Sequence, residues 1–379
     1  MSETLTGKLP TAQSAEAKAF PPVVAVVATS PERVLDDYER LLHLAGYQSF
    51  LPKDRMTHLK INISWQKFYP ACSTPPWQLE GVIRTLLADG YLKENLRATH
   101  NRTVVVNARV GELANKQRPV TEKYGIAGLH LYEKGVRWVE YKPKRPLLAL
   151  PEIFPRGILI PEPFIGTNII HLPTMKTHVF TTITGAMKNA FGGLLQERRH
   201  WTHSVIHETL VDLLTIQKEI HSGIFAVMDA TVSGDGPGPR CMRPHITNYL
   251  LASADQVAID AIAAKMMGFD PLSLDFIRLA HEKGLGCGDP AQIKVVGEDI
   301  SQVNFHFEGK KDTFASRGQK LIYHGSLKPL ENFLLRSPLV FWSYIASRLY
   351  HDGFWYPLIG RRRVQEFLRS DWGKLFLSY

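Results

Sequence analysis

The sequence predicts an α/β protein: two packed α/β units with mainly parallel sheets, followed by a C-terminal helical extension rich in aromatic and basic residues. Three observations lead there. Short β-branched runs alternate with amphipathic stretches of helical period, the pattern of strand–helix–strand crossovers. A proline-rich passage over 142–163 divides that alternation in two. The composition, 44% hydrophobic and 21% charged over 379 residues, is that of a globular chain and too apolar for a disordered one. The expected divisions are a disordered tail over 1–22, a first α/β domain over 23–150, a second over 151–300 that carries the site, and the extension over 301–379.

The elements follow in order. PVVAVV (22–27) reads as a buried strand, and Ser30-Pro31 opens a helix running to about Leu44. LKINIS (59–64) alternates as a strand, and Pro75-Pro76 starts the helix WQLEGVIRTLLADG, closed by Gly90. TVVVN (103–107) is a third strand, and GLHLYE and RWVEY are short ones. After the proline-rich passage, TNIIHL (167–172) is a buried strand, 184–192 a short helix and 203–220 a longer one. GIFAVMD (223–229) is a strand that enters a turn rich in glycine and proline over 233–239. NYLLAS, a helix over 255–267, a helix over 271–283 and the strand QIKVVGE complete the second unit.

Ligands of open α/β sheets collect outside the carboxyl ends of strands, so polar residues just after TNIIHL are site candidates. Between 176 and 203 stand Lys176, His178, Lys188, Arg198, Arg199, His200 and His203, with Asn189 beside Lys188. Such a wall suits a carboxylate or phosphate, held by Lys176 and Arg199. Lys188, His178 and His203 would move protons, or the two histidines would ligate a divalent metal. Asp229 and Asp235 would orient them from the neighbouring strand end. His203 and His207 are four apart, a spacing that also places two imidazoles on one helical face.

No Gly-x-Ser-x-Gly elbow or Walker loop occurs. Cys72, Cys241 and Cys287 are too scattered for a disulfide framework or a zinc ribbon, which points to a cytoplasmic setting. Charge is uneven. Residues 301–379 hold 12 Lys+Arg against 6 Asp+Glu and 16 of the chain's aromatic residues, so most of the net +9 lies there and no nucleic-acid partner is expected. That segment, with Arg361, Arg362 and Arg363, would lie on an anionic membrane surface, pack on the body, or meet a second copy in a homodimer.

The stretch NIIHLPTMKTHVFTTITGAMKNAFGG, then VMDATVSGDGPGPR, then LLASADQVAIDAIAAKMMGFDP and GLGCGDPAQIKVVGE, resembles the DUF362 family over about 23–298. The resemblance implies an α/β fold whose site lies at these motifs, and adds Lys60 and Asn62, the ends of a Lys-Pro-Asn strand motif that here reads Lys60-Ile61-Asn62. Many members carry ferredoxin-like cysteine clusters; this chain has none, so no iron–sulfur centre of its own is expected. The spacing of His178, Lys188 and His203 is also similar to that in the lactate racemase family, whose members bind a nickel pincer cofactor on a lysine. The expected function is an enzyme acting on a small anionic metabolite in a pocket between the units. Its chemistry would be isomerisation, racemisation or elimination/cyclisation, acid–base or metal-assisted. The alternative is a non-catalytic cofactor-delivery or accessory protein docking through its tail.

Overall fold

A computed structural model describes residues 22–101, 106–195, 197–309, 314–323, 325–330, 333–334 and 340–379. The tail expected over 1–22, apart from Pro22, and residues 103–105 of an expected strand lie outside the described residues. The fold is mixed α/β around one large, mostly parallel sheet, with helices at the C-terminal end of the chain.

The strands are β1 (Val23–Ala28), β2 (Thr57–Ile61), β3 (Leu96–His100), β4 (Ala127–His130), β5 (Trp138–Tyr141), β6 (Ile158–Pro161), β7 (Asn168–Leu172), β8 (Thr174–His178), β9 (Thr182–Ile183), β10 (Gly223–Asp235), β11 (Arg243–Ser253) and β12 (Lys294–Gly297). Ten of them form one sheet in the order β12-β1-β11-β10-β7-β2-β3-β4, with β8 on β10 and β9 on β8. The stretches 23–150 and 151–300 therefore share a sheet, and the first unit's β2 lies directly beside the second unit's β7. β5 and β6 pair separately, β5 just before the proline-rich passage and β6 within it. Along the main path only β11 runs antiparallel to its neighbours, which lets β10 and β11 form a long ribbon. That ribbon absorbs part of the expected glycine-rich turn: Ser233 and Gly234 pair with His245 and Pro244.

Alternation along the strands sorts side chains onto two cores. Leu59, Ile61, Ile170 and Leu172 face Tyr38, Leu41, Trp77 and Val82 of the helices Val34–Leu44 and Pro76–Ala88. Ile169, Ala226 and Met228 face Leu210, Leu214, Val257 and Ile262 of Ile206–Ile220 and Gln256–Met267. Asp255 caps the latter helix as its sequence implies, accepting from Val257 and Ala258 N–H at 2.9 Å each.

The C-terminal extension is part of the first of these cores. Trp355, Phe367, Trp372 and Phe376 are buried in it. Phe376 stacks on Phe68 with centroids 3.8 Å apart, and Trp372 lies 5.1 Å from Trp77 while its Nε1 donates to Asn248 Oδ1 at 2.7 Å. Among the described residues no helix is long and apolar enough to cross a membrane. Removing a buried aromatic leaves a void and an orphaned acceptor, so Trp372→Ala is expected to cost about 3–5 kcal/mol in denaturant unfolding, with the body and tail losing structure in a single transition.

Candidate functional site

Lys60 sits at the carboxyl end of β2, in register with His171 of β7. β7 ends at Leu172; Pro173 redirects the chain into β8, which stays on β10, leaves β2 and carries Lys176 and His178. The chain then reaches Gly185, whose φ of +131° is open to glycine and strained for other residues. The short turn Ala186–Asn189 follows. Asp260 fixes it. This fully buried carboxylate accepts the Ala186 N–H at 2.6 Å and the Met187 N–H at 3.0 Å. A Cβ at 185 would lie 2.3 Å from its Oδ1, so the glycine and the aspartate require one another. Burial pushes the Asp260 carboxyl up to about 8, against the two N–H donors.

The arrangement gathers cations from both stretches of the chain. Lys60 and Lys176 are buried, Arg199 nearly so, and Lys188 partly. Lys60 Nζ donates to its neighbour's carbonyl at Ile61 (2.8 Å), while its stem packs so tightly under the next turn that a Cβ on Gly193 would lie 2.9 Å from Cε. Lys176 Nζ donates to the Cys72 carbonyl at 2.5 Å and Ser64 Oγ at 3.2 Å. Ser64 Oγ in turn donates to Asn62 Oδ1, whose amide reaches the same Cys72 carbonyl, so Asn62 joins the site through Lys176. Asn189 Nδ2 bonds the Lys60 carbonyl at 2.8 Å. Among the described residues, none of the three lysines has an acidic side chain within ion-pair distance.

Burial and mutual repulsion lower these groups. Desolvation, then the charge of Arg199, takes Lys60 to about 7. Desolvation, then Lys176 and Arg199, takes Lys188 to about 7, and desolvation takes Lys176 to about 8. Arg199 falls to about 10 by burial and stays cationic near neutral pH.

The two histidines are held in complementary tautomers. The Phe180 N–H donates to His178 Nδ1 at 3.1 Å, leaving the proton of the neutral ring on Nε2. His203 Nδ1 bonds the His200 carbonyl at 3.0 Å, which places its proton there and frees Nε2 as a base. Both rings lie against Phe180, at 5.9 and 5.7 Å between centroids, and His203 is also 5.5 Å from Phe191, over which Lys188 lies at 5.4 Å. Burial and the nearby lysine hold both imidazoles neutral, His203 down at about 3 and His178 well below its usual value.

Lys60, Asn62, Lys176, His178, Lys188, Asn189, Arg199 and His203 are thus brought into one neighbourhood; the two aspartates are not. Asp229 is buried and saturated elsewhere: Tyr38 Oη (2.6 Å) and Trp77 Nε1 (2.9 Å) bond one oxygen, and Thr231 Oγ1 (2.7 Å) and N–H (3.1 Å) the other. Asp235 accepts the Glu308 and Gly309 N–H groups, tying down a later loop. Neither orients the imidazoles. The metal expected on His178 and His203 meets two obstacles. Among the described residues no third His, Cys, Asp or Glu donor joins them, and the surrounding ammonium groups repel a cation. The His203/His207 pair does not share a helical face either, because a break at Val205 (φ −130°, ψ 44°) separates the turn Glu197–Val205 from the helix Ile206–Ile220. Asp260 and Ser64 escape a reading by motif, since their partners are remote in sequence. Gly185→Ala should destabilise the fold by about 3 kcal/mol in chemical unfolding, as the new Cβ meets both an unfavourable φ and the Asp260 carboxylate.

The chain is similar to two known proteins. Thylakoid-associated protein sll1697 of Synechocystis is 24% identical over 120 residues, spanning 31% of this chain and 37% of that protein. A crystal structure of a Thermotoga maritima protein aligns with 12% identity over 71% of this chain and 61% of the other, at a TM-score of 0.35. A family model described as "Domain of unknown function (DUF362)" matches residues 58–265, from β2 through almost the whole of Gln256–Met267. That span is more than half of the chain and contains every cation and histidine of the site, so the chain belongs to the DUF362 family.

Proposed function

We propose that this protein is an enzyme acting on a small carboxylate or phosphate, which it grips with Lys60, Lys176, Lys188 and Arg199 while His178 and His203 move a proton. The observation that carries this reading is a set of lysines, Lys60 and Lys176 buried and Lys188 half-buried, with no acidic partner among the described residues. Buried charges are ordinarily paired, and several kcal/mol per ion are at stake when they are not. An anion supplies the missing pairing. His203 Nε2 accepts a proton from a carbon next to the bound carboxylate, and the electron pair left behind spreads onto oxygens facing the ammonium groups. The Nε2–H of His178 returns a proton to the same or the adjacent carbon and is replaced by a proton from the Lys188 ammonium, so that no imidazolate is left. Racemisation or isomerisation is the reaction that such an acid–base pair serves best, with elimination as a variant in which the second proton goes to the leaving group.

The pH dependence has a definite sign. Lysines lowered from 10.5 to about 7 or 8 lose their protons on folding, so the unliganded protein gains stability as pH rises from about 7 towards 10.5. Anion binding requires the charged lysines and so runs the other way. Inorganic phosphate, citrate or malonate should raise the thermal midpoint more at pH 6.5 than at pH 9. At 100 times the dissociation constant the stabilisation is about 2.7 kcal/mol. Lys188→Met should leave the unliganded protein as stable or more so, because an apolar side chain replaces a half-buried cation crowded by other cations, yet abolish the protection. Equal protection at both pH values, or protection retained by Lys188→Met, overturns the assignment.

A second reading concerns where the enzyme sits. Trp342, Ile345, Leu349 and Leu358 are exposed on the helical segment that leads to exposed Arg361 and Arg362, an apolar face beside a basic one. This pattern, and the name of the Synechocystis relative, support peripheral attachment to an anionic membrane. Co-sedimentation should occur with vesicles containing phosphatidylglycerol, fall with salt, and be reduced at least tenfold by Ile345→Glu with Leu349→Glu. Equal retention by the double variant removes this reading.

A further inference from the structure

His100 closes β3 and His130 closes β4, and the two stand opposite each other in the parallel register. Their rings lie 4.4 Å apart between centroids. Glu112, on the helix Ala108–Ala114 that crosses from one strand towards the other, places a single oxygen, Oε1, against both: His130 Nε2 lies 2.7 Å from it, and His100 Nε2 bonds it as well. His100 and His130 are buried and Glu112 nearly so, and the three donor atoms all lie within 4.8 Å of one another.

We infer that His100, His130 and Glu112 form a binding site for a first-row divalent transition-metal ion, with zinc the best match. Two imidazoles and one carboxylate are a recurrent zinc donor set, and a set of three leaves a coordination position for water or a substrate oxygen. Both ring Nε2 atoms converge on one carboxylate oxygen, so the three donors already face a common point. An ion at the point of convergence uses all three donors at once. The surroundings of His130 fit a ligand: its other nitrogen, Nδ1, lies 3.4 Å from Glu133 Oε1, and Glu133 is itself held by Arg109. A carboxylate behind a ligating imidazole fixes the ring's tautomer and orientation, the usual outer layer of such sites. The position also fits, at the carboxyl ends of adjacent parallel strands, one strand across from β2 and Lys60.

The test uses untagged full-length protein stripped with a chelator, with Zn²⁺ followed by calorimetry and Co²⁺ by its visible absorption. One Zn²⁺ per chain and a Co²⁺ band of four- or five-coordinate type are expected, with no anion present. His130→Ala and Glu112→Gln should each weaken Zn²⁺ at least 100-fold. Glu133→Gln, whose half-exposed carboxylate can change without disturbing the core, should keep the stoichiometry and weaken binding about 10-fold to 100-fold. Folded wild-type protein that binds no Zn²⁺ overturns the site, and so does binding that survives His130→Ala or is untouched by Glu133→Gln. Should the two ligand variants fail to fold, the wild-type stoichiometry and Glu133→Gln still decide. Because the readout contains no anion, its failure leaves the lysine pocket standing, and loss of anion protection leaves the metal site standing.

Discussion

Asp260 reaches from the helix Gln256–Met267 to the backbone of Ala186 and Met187, and the space it fills is the space a side chain at 185 would need. That contact locks the turn carrying Lys188 and Asn189 to a helix at the centre of the core. From the locked turn, the Asn189 amide fastens to the Lys60 carbonyl, and Gly193 closes over the Lys60 stem. The lysine of one stretch and the lysines of the other are therefore held against each other by backbone geometry, with no acid paired to them among the described residues. An aspartate thus positions a cationic site without neutralising it, since burial pushes its carboxyl up to about 8 and its oxygens face the two amides.

The cost of crowding cations is limited by the choice of residue. A lysine can release its proton when it is desolvated, and all three do so partly near neutral pH. Arg199 keeps its full charge. The pocket is consequently poised, partly cationic when empty and fully cationic once an anion arrives. The histidines follow the same logic. Buried beside ammonium groups, they are kept uncharged, and the Phe180 N–H and the His200 carbonyl set which nitrogen of each carries the proton.

The C-terminal extension divides by face. Trp355, Phe367, Trp372 and Phe376 complete the core beneath the helices Val34–Leu44 and Pro76–Ala88, with Arg363 fixed on the Met242 carbonyl and over Trp355. Trp342, Ile345, Leu349 and Leu358 point elsewhere and remain exposed. Composition alone could not separate the two groups, because a tryptophan in a core and one on an outer face have the same letter.

What could be read from the chain were the features set by neighbours in sequence. β-Branched runs marked β1, β7 and β10; Asp255 marked a helix start; the cluster from Lys176 to His203 marked the strand exit where the cations gather. Lys60 and Asn62 came with the family resemblance and proved to touch the same cluster through Asn189 and Ser64. Other features were decided by the tertiary structure. Asp229 and Asp235 look as available as any carboxylate until Tyr38, Trp77 and the Glu308 and Gly309 amides are seen to occupy them. Asp260 looks like one more polar residue of a helix until it meets Gly185, and His100, Glu112 and His130 are unremarkable letters until parallel pairing sets two strand ends side by side. The physical reason is the same in each case: period and capping depend on residues a few positions apart, whereas the partner that satisfies a buried polar group is chosen by which strands and helices pack together.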